Sequence, residues 1–203
     1  MSERGRFIVL EGGDATGKST QVLLLARRLR EMGREVETTF EPGRTHVGAT
    51  IRGLVLEEPL DPRAEALLIA ADRAQHVAEV VRPALERGVD VVSDRFVPSS
   101  LAYQGVARGL GVEEVWRLSD WATATLEPDL VIVLDTHEEV VRTRRAGPAG
   151  DRLEREGSAF HDQVVRAYRE LAESHGWVLV DALGEIDAVA ERVWNAVAEA
   201  FDG

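Results

Sequence analysis

The segment "FIVLEGGDATGKSTQ" leaves this chain the least freedom in what it can fold into. Residues 12–19 fit Gly-x-x-x-x-Gly-Lys-Ser, directly after an apolar run and directly before an amphipathic one. That context is what a phosphate-binding loop requires. Glycines let the backbone curl until successive N–H groups converge on an anion, and the start of the following helix adds partial positive charge. Gly12, Gly13, Asp14, Ala15, Thr16, Gly17, Lys18, Ser19 and Thr20 are therefore expected to cradle nucleotide phosphates, with Ser19 offering its hydroxyl to Mg2+. Lys18 is the single lysine among 24 lysine and arginine residues. A compact ammonium on a flexible stem reaches phosphates from inside a tight loop, whereas a planar guanidinium needs more room, so the lysine is chemically specified.

Five short apolar runs punctuate the chain: residues 6–11, 34–40, 89–94, 129–135 and 177–181. Stretches with helical spacing separate them; "TQVLLLARRLREMG" is apolar on one face and stops at Gly33. Four runs are nearly continuous in aliphatic residues, as strands buried on both faces of a parallel sheet should be, and the second is more polar. This alternation predicts an α/β three-layer sandwich with a five-stranded parallel sheet, in one domain spanning 1–203. An acid stands at or just past the end of each strand: Glu11, Glu41, Asp94, Asp135 and Asp181. Ligands of such sheets bind beyond the carboxyl ends of the strands, yet Asp also simply ends strands, so a second signal must separate the two roles.

Composition excludes several settings. A net charge of −12 opposes broad nucleic-acid binding, so bound phosphate must be held by a few local groups. The absence of cysteine removes disulfides and thiolate metal sites and fits a reducing compartment. No run of eighteen apolar residues occurs, and the expected location is the cytoplasm.

A phosphate loop serves ATPases, GTPases and kinases alike. With no second lysine there is no Asn-Lys-x-Asp guanine-reading motif, and a kinase further needs an acceptor site. The third strand leads into "SDRFVPSSLAYQG" (93–105), where Asp94 could organise Mg2+ opposite Ser19 and Arg95 could face transferred phosphate.

Here the chain resembles the thymidylate kinases, whose pattern reads Asp-Arg-(Phe/Tyr/His), then Ser, then Ala-Tyr-Gln-Gly. "FEPGRTHVGATIR", "AADRAQH", "PDLVIVLD" and "DRLEREG" extend the resemblance, in order, over almost the entire chain. It implies the P-loop NTPase fold, an acceptor region at about 40–75 and 94–105 and a lid at about 141–157. It also implies transfer of the γ-phosphoryl of ATP to dTMP, with Mg2+, on the way to dTTP, in a cytoplasmic homodimer. By the same resemblance Asp14 contacts the acceptor sugar, Arg73 the thymine carbonyl and Tyr103 the deoxyribose, with Ser99, Ser100 and Gln104 lining the same stretch. Arg95 and Arg44 are expected on the acceptor phosphate, Arg44 standing in for an arginine that many relatives carry where this chain has Phe40. Ile69 takes the place of a phenylalanine that usually stacks on thymine, which keeps an apolar contact and gives up π stacking, worth about 1–3 kcal/mol.

In the family that this resemblance points to, the transition-state charge comes either from a basic residue within the loop or from arginines of the lid; the loop here reads Asp-Ala-Thr, so the lid is expected to supply it. Arg145 and Arg152 are the expected catalytic arginines beside Lys18, Asp94 and Arg95, with Arg142 or Arg144 near adenine and "AGPAGD" (146–151) a mobile loop. A nucleotide phosphate with a second pKa of about 6 needs no general base, and no histidine is given a role in transfer. Two other readings stand beside this one: a nucleotide or deoxynucleoside kinase of altered base specificity, and a catalytically silent nucleotide-binding regulator. Trp116 and Trp121 are expected in the core or at a dimer contact.

Overall fold

The computed structural model describes residues 4–136, 152 and 155–202. Five strands form one parallel sheet in the order β2-β3-β1-β4-β5. They are β1 (Phe7–Glu11), β2 (Val36–Phe40), β3 (Asp90–Asp94), β4 (Leu130–Asp135) and β5 (Val178–Asp181), each within two residues of its predicted run. The polarity of the second run has a topological cause. β2 lies at one edge, and its residues are mostly half-buried. The fifth run is as apolar as the central ones but forms the opposite edge, where Leu179 is 45% exposed; full burial of this strand is the expectation that the structure corrects. An edge strand has a neighbour on one side only, and an aliphatic run alone does not reveal that.

Side chains alternate across the sheet and so divide the core. Phe7, Val9, Val91, Val131 and Val133 pack on one face with Tyr168 and Leu171 of α7 (Ser158–His175). Ile8, Leu10, Val92, Ile132 and Leu134 pack on the other. There they meet Val22, Leu25 and Leu29 of α1 (Lys18–Glu31) and Val189, Val193 and Val197 of α8 (Ile186–Asp202). The helix after β1 ends as read from sequence, with Gly33 at φ +84. Between β2 and β3 lie α2 (His46–Glu57), α3 (Pro62–His76) and, after a π-helical turn at Val77–Val81, α4 (Arg82–Glu86). Thr45 caps α2, its hydroxyl accepting from Gly48 N, and Asp61 caps α3, accepting from Arg63 N ahead of Pro62 in the first turn. After β3 come α5 (Val97–Ser100), a π-helical stretch at Leu101–Ala107 and α6 (Val112–Thr123), which packs against α3. The turns after β1 and β3 thus open side by side at the carboxyl edge of the sheet.

Candidate active site

The loop after β1 takes the shape its glycines permit. Gly12 has φ +131, and a Cβ there would stand 2.5 Å from the Leu134 carbonyl oxygen, so only glycine fits. Gly17 at φ +94 turns the chain into α1. Thr16 closes the loop by donating to Gly13 O at 3.0 Å. Lys18 folds back inside it, 6% exposed, with Nζ donating to Gly13 O at 2.7 Å. Thr20 lies outward and is exposed.

Burial away from water, and then the nearby Arg95 charge, lower the Lys18 ammonium from its usual 10.5 to about 8, against the opposing pull of Asp94, Asp14 and Glu11. Between about pH 8 and 10.5 the unfolded chain holds this proton and the folded chain does not, so this group makes stability rise with pH across that window. A bound polyphosphate reverses the effect by favouring the charged form. At about pH 8.5, ATP binding is therefore expected to take up roughly half a proton or more. Titration calorimetry in two buffers of different ionisation enthalpy measures this, and zero uptake would contradict the seat described for Lys18.

The loop faces the turn after β3 across a cleft of about 640 Å³. Ser19 Oγ donates to Asp94 Oδ2 at 2.5 Å, which unites the two expected Mg2+ ligands. Both are hard oxygen donors; among the described residues no cluster of three or more His, Cys, Asp or Glu side chains could hold a metal. The pair thus fits an ion that keeps several waters and takes its remaining ligands from substrate phosphates, as Mg2+ does.

Arg95 lies at the centre of the half of the cleft where the acceptor is expected. Its backbone has φ +74, and Nη2 donates to Asp14 Oδ1 at 2.5 Å and to Tyr103 OH at 3.4 Å. Nη1 donates to Ser99 Oγ, Tyr168 OH and Gly12 O at 3.0 to 3.2 Å. Tyr103 OH donates back to Asp14 Oδ2 at 3.0 Å. Asp14 and Tyr103, far apart in sequence, therefore share one guanidinium.

The other wall carries Ile69 and Arg73. Arg73 is 1% exposed and nearly saturated. Its Nε donates to Glu41 Oε2 at 2.8 Å, Nη1 to Ser119 Oγ at 3.2 Å, and Nη2 to Phe96 O and Ser100 Oγ at 3.0 Å each. Glu41 Oε1 meets His76 Nδ1 at 2.8 Å, and His76 Nε2 meets Thr39 Oγ1. Burial alone would raise the Glu41 carboxyl, but Arg73 and His76 outweigh it and hold the group below its usual value. Next to this network Asp72 is pushed up to about 6 by burial and by Glu41, while its Oδ1 accepts from Gly43 N.

Several expected residues are in the cleft wall but engaged elsewhere. Arg44 pairs with Glu37 at 3.1 Å, and Gln104 donates to buried Glu65 at 2.8 Å. Arg152, which does not line the cleft, also goes to Glu65, donates from Nε to Val55 O at 3.0 Å and sits beside Arg108 on the same carboxylate. Arg142, Arg144, Arg145 and the segment 146–151 lie outside the described residues. Of the strand-end acids, Glu11, Glu41 and Asp94 join the site, whereas Asp135 pairs with Arg169 and Asp181 accepts from Leu183 N in a local turn. Trp116 packs at the core margin on His175, and Trp121 is 81% exposed.

Sequence reasoning missed Tyr168, Glu65, the pairing of His76 with Glu41, and His161, whose Nδ1 lies 4.0 Å from Asp14 Oδ2. Only the strand-end acids carried a signal; the others sit on helix faces where core and site residues look alike.

Comparison with known proteins bears on this arrangement. A family model described as thymidylate kinase matches residues 10–193. The chain is 53% identical over 194 residues to the thymidylate kinase of Leifsonia xyli subsp. xyli (strain CTCB07), covering 93% of this chain and 92% of that one. It is 48% identical over 195 residues to that of Clavibacter sepedonicus (93% and 92% covered) and 44% over 200 residues to that of Halothermothrix orenii (96% and 97%).

Proposed function

The chain belongs to the thymidylate kinase family, and from that membership we infer that its cleft carries the γ-phosphoryl of ATP onto dTMP, giving dTDP and ADP. One observation carries the inference: a single cleft lined by Lys18, Ser19 and Asp94 also presents Arg95, Arg73 and Ile69. Donor and acceptor sites thus open on one another, as in-line transfer needs.

Lys18 leaves Gly13 O for the β- and γ-phosphates and follows the moving group. Arg95 holds the acceptor phosphate, aided by Arg44, while Asp14 and Tyr103 meet the sugar. Ser19 and Asp94 hold Mg2+, which when bound neutralises charge on the phosphates. Arg145 and Arg152 supply the remaining positive charge from the lid, with Arg142 or Arg144 beside adenine. For Arg152 this means leaving Glu65. No side chain need act as base, because the acceptor phosphate is already ionised near neutral pH.

Arg73 has five N–H groups. Four are used: Nε–H by Glu41, one Nη1–H by Ser119 and both Nη2–H by Phe96 O and Ser100. The one left can serve a single acceptor, which suits a carbonyl of thymine and rejects an amino group at that position. Ile69 provides the apolar contact for the ring. We further propose one domain across 1–203, a cytoplasmic location and a homodimer that covers Trp121 and Leu67, exposed by 81% and 59% on packed helices α6 and α3. No helix among the described residues is long and apolar enough to cross a membrane.

A coupled ADP-release assay with Mg2+ and ATP, offering dTMP, dUMP, dCMP, dGMP and thymidine at matched concentrations, tests the reading. Strong preference for dTMP is expected. Broad use of acceptors or preference for thymidine would move the chain to a kinase of altered specificity, and binding without turnover to a silent nucleotide-binding protein.

A further inference from the structure

We propose that Glu11, with Tyr168, is the positioning residue that aims Arg95 at the acceptor phosphate, because its carboxylate fixes which way two neighbouring hydroxyls point. The inference rests on Arg95 holding that phosphate.

Glu11 lies outside the phosphate loop, at the end of β1, and is fully buried. Its two oxygens do different work. Oε1 accepts from Phe96 N at 2.7 Å and Ser99 N at 3.3 Å, which ties down the chain directly after Arg95. On the other side of that residue, Arg95 N donates to Leu10 O at 3.0 Å. A non-glycine residue at φ +74 persists only when its surroundings over-determine it, and these bonds bracket it on both sides.

Oε2 accepts from Ser99 Oγ at 2.6 Å and Tyr168 OH at 2.9 Å. The two hydroxyls stand 2.8 Å apart, and both also contact Arg95 Nη1. Each hydroxyl has one proton. An ionised Glu11 takes both protons, leaving lone pairs to face the guanidinium, which can only donate. Glu11 and Arg95 thus attract one another through two hydroxyls oriented between them. Burial leaves the carboxyl raised above its usual 4.5, a rise that Arg95 and the hydrogen bonds from Ser99, Phe96 and Tyr168 oppose only in part.

Glutamine in its place keeps the shape and reverses the polarity. Its carbonyl must stay at the Oε1 position to receive Phe96 N and Ser99 N, so its NH2 falls at Oε2 and donates to Ser99 or Tyr168. A hydroxyl proton then turns toward Arg95, and the guanidinium loses its seat. Asp14 and Tyr103 keep their own hydrogen bond at 3.0 Å, so the damage should fall mainly on the part of the ligand that Arg95 holds.

The test compares dTMP with thymidine, which differ by the phosphate. In Glu11→Gln, dTMP affinity by calorimetry is expected to fall about 10- to 100-fold while thymidine affinity stays within about twofold. Tyr168→Phe keeps the ring packed and removes one of the two oriented hydroxyls; it should weaken dTMP about threefold and leave thymidine unchanged. A merely structural role would weaken both ligands together or shift only the melting temperature, and either result overturns the proposal. Arg95→Gln separates this inference from its premise. If Arg95→Gln abolishes the preference for dTMP but Glu11→Gln and Tyr168→Phe do not, only the positioning role fails; if Arg95→Gln leaves the preference intact, the phosphate role of Arg95 fails with it.

Discussion

Lys18→Arg is expected to lower turnover at least about 100-fold while the chain still folds, with a circular dichroism spectrum and unfolding midpoint close to those of the parent. A hundredfold loss corresponds to about 2.7 kcal/mol of transition-state stabilisation. The reason lies in the seat. Lys18 is 6% exposed inside the loop, and its ammonium occupies one point 2.7 Å from Gly13 O. From there a short swing brings a single charge to whichever oxygen carries it as the phosphoryl group moves. A guanidinium keeps the charge but spreads it over a plane and needs a fork of acceptors. In a curl bounded by Gly12 and Gly17 it must displace backbone N–H groups aimed at the same phosphates. Steady-state kinetics with saturating ATP and dTMP settle the matter, since near-normal kcat would show that only the presence of a charge counts.

Removal of the Glu41 carboxylate is expected to have the largest effect on stability. Glu41→Ala leaves the Arg73 guanidinium, 1% exposed, without its charged partner and takes the acceptor of His76 away. Breaking a buried ion pair from one side costs about 3–5 kcal/mol, because the remaining charge stays desolvated. For a chain of this size that lowers the melting temperature by roughly 6–20 °C. The same arrangement sets an acid limit. Glu41 is held below its ordinary carboxyl range, so its contribution is present above the unfolded value of 4.5 and is lost as pH falls through the lower folded value. Thermal melts of parent and variant at neutral pH test the first point; a shift below about 2 °C would mean that water reaches Arg73. Residual activity should also lose its preference for thymine over cytosine, because Arg73 is no longer held in one orientation.

How much of this was legible beforehand differs from residue to residue. The loop was readable because its glycines answer to backbone geometry: φ +131 beside the Leu134 carbonyl admits nothing else, and such constraints surface as a motif. Asp94 was readable as a residue of the cleft because a strand end and a motif coincide on it, and it stands there against Ser19. The sheet was readable from aliphatic runs, apart from the edge position of β5, since an edge is a property of neighbours absent from a strand's own sequence. Tyr168 was not readable at all. It occupies the apolar stripe of α7 like any core tyrosine, and only the fold shows that its hydroxyl ends against Glu11 and Arg95. Glu11 and Asp181 likewise look the same as strand-ending acids, yet one is fully buried against the hydroxyls that meet Arg95 and the other tops a local turn.

The solitary lysine has an analytical use as well. This sequence offers amine-directed reagents one side-chain amine, and it lies in the phosphate loop with its ammonium lowered to about 8. At mildly alkaline pH a good share of it is the unprotonated nucleophile, and a bound nucleotide both covers and recharges it. Acylation of Lys18, followed by intact mass, therefore becomes a count of empty loops: one group beyond that on the terminal amine per vacant molecule, none beyond it where ATP is seated, with no label introduced by mutation.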